Sequence, residues 1–245
     1  IIMVRISGFG QTGPYSHKPG YGVVCEAVSG MRHLTGDPDR PAARVAVSLT
    51  DEITGTYAAY GVALAVLHKQ ATGEGQCIDA ALYECAFSYM EPYVPAYEKT
   101  GFVPIRQGGR LPNSTPNNHY PTQDGRHIHI AAGNMPTWRR LAAAMGREDL
   151  LSDPRLQDQV ALNAHEDELD EVVGAWTATH ELKDLEKKLD EAAVPAARIY
   201  TMKDVFEDPH YAARDMIVDV PDDDLGSVKL ANVVPRLSAT PGEIR

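Results

Sequence analysis

Ile6–Gly22 reads ISGFGQTGPYSHKPGYG, Ser29–Pro41 reads SGMRHLTGDPDRP, Val45–Gly61 reads VAVSLTDEITGTYAAYG and Thr72–Glu84 reads TGEGQCIDAALYE. Glycine-rich turns alternate here with short apolar runs, the pattern of an α/β domain built from strand–turn–helix units. Val4–Ser7, Arg44–Leu49 and Gln76–Ala81 are predicted as strands. Glu52–Gln70 is predicted as a helix because Ile53, Tyr57, Tyr60, Leu64 and Leu67 recur at helical spacing. Its other faces carry Ala58, Ala59, Gly61, Ala63 and Ala65, so burial on more than one side is expected, and Gly73 is expected to end it.

One carboxylate, Asp51, stands at the mouth of this helix, where free backbone N–H groups and the helix dipole favour its ionised form. Aspartate is also among the commonest N-cap residues, so an N-capping role is expected of it too, and the two roles are compatible. The surrounding sequence makes it a candidate nucleophile. Gly8–Pro14 and Lys18–Gly22 are tight loops whose glycines let backbone N–H groups approach a bulky anionic ligand. Neither a GxGxxG fingerprint nor a P-loop lysine motif is present, which argues against a dinucleotide or ATP site.

Farther along, Pro92, Pro95, Pro104, Pro112 and Pro116 with Gly101, Gly108 and Gly109 disfavour regular structure. The expected organisation is a large-domain portion over 1–93, a linker over 94–118, a smaller α/β domain over 119–212, and strands over 213–245 that return toward the large domain. Within the smaller domain, Arg126–Ala132 is predicted as a strand, as is Ala196–Tyr200. Helices are predicted over Thr137–Met145, Glu166–Ala178, Glu181–Ala193 and Lys203–Glu207. MIVDV and SVKLANVVP are predicted to pair around the acidic turn Asp222–Gly226.

The chain of 245 residues carries a net charge of −11, which would repel nucleic acid and anionic lipid over most of its surface. Its 43% hydrophobic and 23% charged residues suit a soluble globular protein able to bury a core. The longest apolar run, Tyr57–Leu67, is too short to span a bilayer. Cys25, Cys77 and Cys85 form no CxxC pair and are expected to be reduced, half-buried thiols in a cytoplasmic protein. IIMVRISG reads as an interior strand running into a glycine turn, so the chain is expected to begin inside a domain.

Other residues have bland readings. His127 and His129 alternate on one strand face, but with no third ligand nearby they are expected to be exposed strand histidines rather than a metal site. His33 beside Arg32 could face an acyl group or phosphate, or be solvated. Arg40 and Arg44 are expected to be solvated.

The ordered runs ISGFGQTGPY, KPGY, SGMRHLTGDPDRP, SLTDEITGTYAA and TGEGQCIDAALYE resemble the core signature of the family III CoA-transferases, which include formyl-CoA transferase, carnitine CoA-transferase and alpha-methylacyl-CoA racemase. HYPTQDGRHIHIAAGN (119–134), DPR (153–155), VPAARI (194–199) and DVFEDPHYAARDM (204–216) are similar to that family's smaller domain. The resemblance covers the whole chain and implies a Rossmann-like large domain in an interlocked homodimer, with the active site between large and small domains. It implies Asp51 as nucleophile and Lys18, Pro19, Gly20 and Tyr21 as the loop against the thiol arm of CoA. Leu82 is implied as a lesser CoA contact, and Gly108, Gly109, Asn113 and Pro116 are placed in a mobile lid contributed by the small domain.

In this resemblance coenzyme A enters as acyl-CoA substrate, with no permanently bound cofactor, no metal and a small carboxylic acid as partner substrate. Tyr21 stands where a racemase of the family would place a histidine, so transfer is expected over racemisation. A non-catalytic CoA-binding subunit is the remaining alternative, because the family's N-terminal portion and C-terminal tail have no counterpart here. Gly22 also departs from the family, many of whose members carry an acidic residue there.

Overall fold

The computed structural model describes residues 1–244, in two compact units that divide after Asn118. The first unit opens with β1 (Met3–Ser7), the GFGQTG loop and α1 (Gly22–Val28). A 3-10 turn over Met31–Leu34 leads through a loop to the long helix α2 (Leu49–Thr72), followed by β2 (Cys77–Ala81), α3 (Leu82–Phe87) and α4 (Tyr93–Thr100). β1 and β2 pair in parallel, Met3 opposite Cys77 through Ser7 opposite Ala81. Parallel neighbours require a crossover, and α1 and α2 provide it. Gly73 ends α2 in the left-handed conformation, φ 81°, with its N–H donated to the Lys69 carbonyl, as its sequence position predicts.

Four expectations for this unit are corrected. Arg44–Leu49 is not a strand: the N–H of Val45 reaches the buried Glu26 carboxylate at 3.5 Å instead of a neighbouring ladder. Helix α2 begins at Leu49, three residues earlier than expected, so the N-cap falls on Ser48 and Asp51 is the third helical residue. The same helix buries only one strip, Thr50, Ile53, Thr54, Ala58 and Ala65, and leaves Tyr57, Tyr60, Leu64, Val66 and Leu67 exposed. Its apolar faces outnumber the elements that this chain packs against it. Finally, the presumed linker contains a regular helix, α4, in which Pro95 occupies the first turn, where its missing N–H costs no helical bond.

The second unit holds β3 (Asn117–Pro121), β4 (His127–Ala131) and β5 (Ala196–Arg198) in that spatial order, with β4 and β5 antiparallel. Helices α5 (Met135–Ala144), α6 (Asp149–Ser152), α7 (Gln159–Ala164), α8 (Glu166–Thr177) and α9 (Leu182–Glu191) cover this sheet. Ile128 and Ile130 point from β4 into a closed core with Trp138, Leu141, Leu162, Leu169, Val173, Leu185 and Leu189. Short helices α10 (Met202–Glu207) and α11 (Pro209–Ala213) precede the hairpin of β6 (Ile217–Asp222) and β7 (Gly226–Ala231). Contacts group this hairpin with the second unit and residues 94–118 with the first. Among the described residues, no helix is long and apolar enough to cross a membrane.

Candidate active site

Of the predicted site segments in the first unit, the Lys18–Tyr21 loop runs directly into Gly22, which meets Asp51 near the start of α2. The loop after β1 is fixed by two side chains: Ser7 Oγ accepts from the Gly10 N–H at 3.1 Å, and Asp79 Oδ2 of β2 accepts from the Gln11 N–H at 2.9 Å. Gly8 then meets Gly20 backbone to backbone. A Cβ on Gly8 would lie 2.8 Å from the Gly20 Cα, and one on Gly20 would lie 2.9 Å from the Gly8 Cα. Any larger residue at either position would push the two loops apart. The Gly8 carbonyl accepts from the buried Cys25 thiol and from the Tyr83 N–H, both at 3.3 Å, and so ties this loop to α1 and α3.

Asp51 meets the chain two residues past this clamp. Its carboxylate lies against Gly22, the first residue of α1, so closely that a Cβ there would fall 2.0 Å from Oδ2. The residue is exposed, and among the described residues its side chain makes no hydrogen bond or ion pair. With Glu52 it supplies negative charge to the first turn of α2, an end that no side chain caps. It is close enough to Cys25 to help raise that thiol's pKa, although burial is the larger cause. Burial raises the Cys85 thiol as well. Burial thus disfavours the thiolate form of both cysteines.

The remaining predicted residues divide. Lys18 is exposed, its ammonium 3.5 Å from the centre of the Tyr15 ring, and Pro19 is exposed beside it. Tyr21 is 77% exposed next to the buried Gly22. Leu82 starts α3 with only 7% of its surface accessible, so it is buried rather than presented on an open face. His33 Nε2 is 3.1 Å from the Pro104 carbonyl, and Arg106 donates to the carbonyls of His33 and Asp37, so this loop is bound to the segment after α4. Gly108 belongs to the first unit, where its N–H donates to the Gly36 carbonyl. Arg40 is 3.8 Å from Asp37 in an exposed pair.

His127 packs edge-on against His119, ring centres 5.7 Å apart, and burial lowers the pKa of His129, with His119 adding to the shift. Among the described residues, no group of three histidine, cysteine or acidic side chains is arranged to hold a metal. Sequence reasoning missed Asp79, which orders the Gly8 loop, and Cys25, which joins that loop to α1. It also missed the contact of the Asp51 carboxylate with Gly22. Asp79 lies within the GQCIDAAL run, but a contact from residue 22 to residue 51 leaves no mark in sequence spacing.

The sequence profile of CoA-transferase family III matches residues 1–245. The chain is 46% identical over 244 residues to succinyl-CoA–D-citramalate CoA-transferase of Chloroflexus aurantiacus, covering 100% of this chain and 61% of that one. It is 34% identical over 224 residues to succinate–glutarate CoA-transferase of Agrobacterium fabrum, covering 91% of this chain and 56% of the relative. Among solved structures, a CAIB/BAIF family protein from Brucella suis superposes with a TM-score of 0.82 at 32% identity, over 98% of this chain and 62% of that one. The chain thus spans about six-tenths of the length of the citramalate relative, and across that span its loops, its α2 start and its second unit follow one family throughout. The chain belongs to CoA-transferase family III.

Proposed function

We propose that the protein transfers coenzyme A between an acyl-CoA donor and a small carboxylic acid, with Asp51 as the covalent relay. The observation that carries this reading is the Asp51 carboxylate itself, exposed, without a hydrogen-bond partner among the described residues, and resting against Gly22 at the start of α1. Moving CoA without losing the thioester to hydrolysis requires such a group. The carboxylate attacks the donor carbonyl, the C–S bond breaks, and CoA leaves as thiolate from a mixed anhydride. The thiolate then attacks the aspartyl carbonyl, releasing the donor acid and leaving an aspartyl-CoA thioester. The acceptor carboxylate attacks that thioester to form a second anhydride, and the thiolate attacks the acceptor's carbonyl, which regenerates Asp51.

Lys18, Pro19, Gly20 and Tyr21 are placed along the CoA arm in this proposal, with the backbone N–H groups of the Gly8 and Gly20 loops available to developing oxyanions. The names of the citramalate and glutarate relatives favour a short dicarboxylic acid as acceptor and succinyl-CoA as donor. Tyr21 favours transfer over proton exchange, because a phenol is a poorer partner base for an aspartate than the histidine a racemase of the family would place there. A homodimer is the proposed assembly. The test is steady-state kinetics of the full-length protein with succinyl-CoA and a panel of dicarboxylic acids. Parallel-line kinetics and formation of the acceptor's thioester without accumulation of free CoA are expected, and hydrolysis alone across the panel would sink the proposal.

A further inference from the structure

Asp79 is exposed on β2 and stands opposite Arg5 of β1 in the parallel register. Opposite charges so placed are able to pair across strands, yet among the described residues no ion pair joins these two. Asp79 Oδ2 instead accepts from the Gln11 N–H, 68 residues away in sequence, at 2.9 Å. A carboxylate is among the strongest acceptors a backbone N–H can find. Ser7 Oγ accepts from the Gly10 N–H at 3.1 Å and from the Gln11 side chain at 3.2 Å, so the Gly8–Gln11 turn is held from both strands at once.

The turn reaches the Lys18–Tyr21 loop by two routes. One is backbone against backbone, where a Cβ on Gly20 would lie 2.9 Å from the Gly8 Cα. The other is aromatic. Buried Phe9 packs against Gly20, its Cε2 3.2 Å from that same Cβ position, and meets the Tyr15 ring edge-on with centres 5.8 Å apart. Tyr15 in turn holds the Lys18 ammonium over its ring and accepts the Lys18 N–H at its carbonyl, at 2.9 Å. We propose that Asp79 is a positioning residue for coenzyme A: by holding the Gly8–Gln11 turn it fixes, through Gly8 and Phe9, the Lys18–Tyr21 loop. The proposal rests on the placement of that loop along the CoA arm and adds a residue that acts through the backbone of the neighbouring turn. A loop already ordered in the free protein need not be ordered by its ligand, so Asp79 acts on CoA affinity rather than on the chemical steps.

The test sets Asp79→Ala beside Asp79→Asn in the full-length protein, with the affinity for free CoA read by calorimetry and kcat and KM read with acyl-CoA. Asp79→Ala is expected to weaken CoA binding and raise the KM for acyl-CoA by about threefold to tenfold, without a matching fall in kcat. Asp79→Asn offers the same N–H a carbonyl oxygen and is expected to restore affinity to within about twofold of wild type. Affinity within about twofold of wild type in Asp79→Ala overturns the proposal. So does an Asp79→Asn protein as weak as Asp79→Ala, or a loss confined to kcat. Should Asp79→Ala fail to fold, hydrogen exchange in the wild type and in Asp79→Asn decides. A Gln11 amide protected in both, and slowed further with the Lys18, Gly20 and Tyr21 amides when CoA binds, supports the tie; an unprotected Gln11 amide, or one indifferent to CoA, contradicts it. Lys18→Ala separates this proposal from the reading beneath it. Unchanged CoA affinity in Lys18→Ala defeats the placement of the loop, whereas affinity lowered by Lys18→Ala and not by Asp79→Ala defeats the role of Asp79 alone.

Discussion

In the second unit Trp138, Leu141, Leu169, Val173, Leu185 and Leu189 are sealed from solvent, while in the first unit Tyr57, Tyr60, Leu64 and Leu67 of α2 stand in it. The buried positions of the first unit are chiefly small: Cys25, Ala58, Ala65, Ala80, Ala81 and Ala86. The helix ends differ in the same sense. Asn134, Asp158, Thr201 and Asp208 cap α5, α7, α10 and α11 with their side chains, whereas none of α1 to α4 has a side-chain cap.

Large apolar side chains bury roughly 1.5–3 kcal/mol each, and alanines far less, so the second unit closes its own core while the first does not. What the first unit gains from small residues is close approach: glycine on glycine at 8 and 20, and a carboxylate on glycine at 22 and 51. A groove of about 570 Å³, lined by Leu34, Phe87, Met90, Tyr97, Phe102 and Val103, adds to its uncovered apolar surface. The proposed nucleophile and the self-sufficient packing thus lie in different units.

The largest effect expected from this division is functional and confined to the first unit. Asp51→Ala lowers transfer in the full-length protein by about a thousandfold or more while leaving the thermal midpoint unchanged, as loss of a covalent nucleophile does. Activity assay and calorimetry on one preparation check both halves. Next comes the packing contrast, measured by denaturant unfolding. Leu141→Ala destabilises the chain by about 3 kcal/mol because it empties a closed core. Leu64→Ala on the exposed face of α2 costs less than about 0.5 kcal/mol. A Leu64→Ala cost as large as that at Leu141 would show this face to be covered in solution and would erase the contrast.

Smaller effects sharpen the account of the second unit. Tyr120→Phe removes the 2.6 Å hydrogen bond to Asp170 and costs about 1 kcal/mol in the same assay. Acid comes last. Asp204 is held well below the usual carboxylate range, first by the Thr201 hydroxyl, then by the Thr201 backbone and Arg126. Asp208 is lowered by the Tyr200 hydroxyl and the N–H groups of Tyr211 and His210. Asp153 is lowered chiefly by Arg155. Because each folded pKa lies below its unfolded value, the stabilisation is complete above about pH 4 and is lost as pH falls toward the folded values. Melting of the second unit should therefore drop below about pH 4, and Asp204→Asn should make that acid slope shallower.

The elements of the second unit were legible because their residues obey local rules. Leu182, Leu185 and Leu189 fall on one face of α9, and the turn at Asp124 and Gly125 precedes an alternating strand. The existence of strands β1 and β2 and the glycine stop of α2 were legible for the same reason. Arg44–Leu49 misled because β-branched Val45 and Val47 imitate a strand, while the N–H of Val45 is drawn to Glu26, 19 residues away. Asp51 was legible as a carboxylate at a helix mouth, but not its place in the first turn, since Leu49 and Thr50 carry no start signal. The contact with Gly22 was beyond reach for a different reason. Steric room at residue 22 for a side chain at 51 depends on how two loops pack, which no periodicity encodes.

The most direct measurement is peptide mass spectrometry of the full-length protein after incubation with acyl-CoA and then hydroxylamine, which captures activated carboxylates as hydroxamates. The account predicts a hydroxamate at Asp51 that requires acyl-CoA and disappears in Asp51→Ala. Turnover of acyl-CoA with Asp51 unmodified, or with label on another side chain, would contradict it.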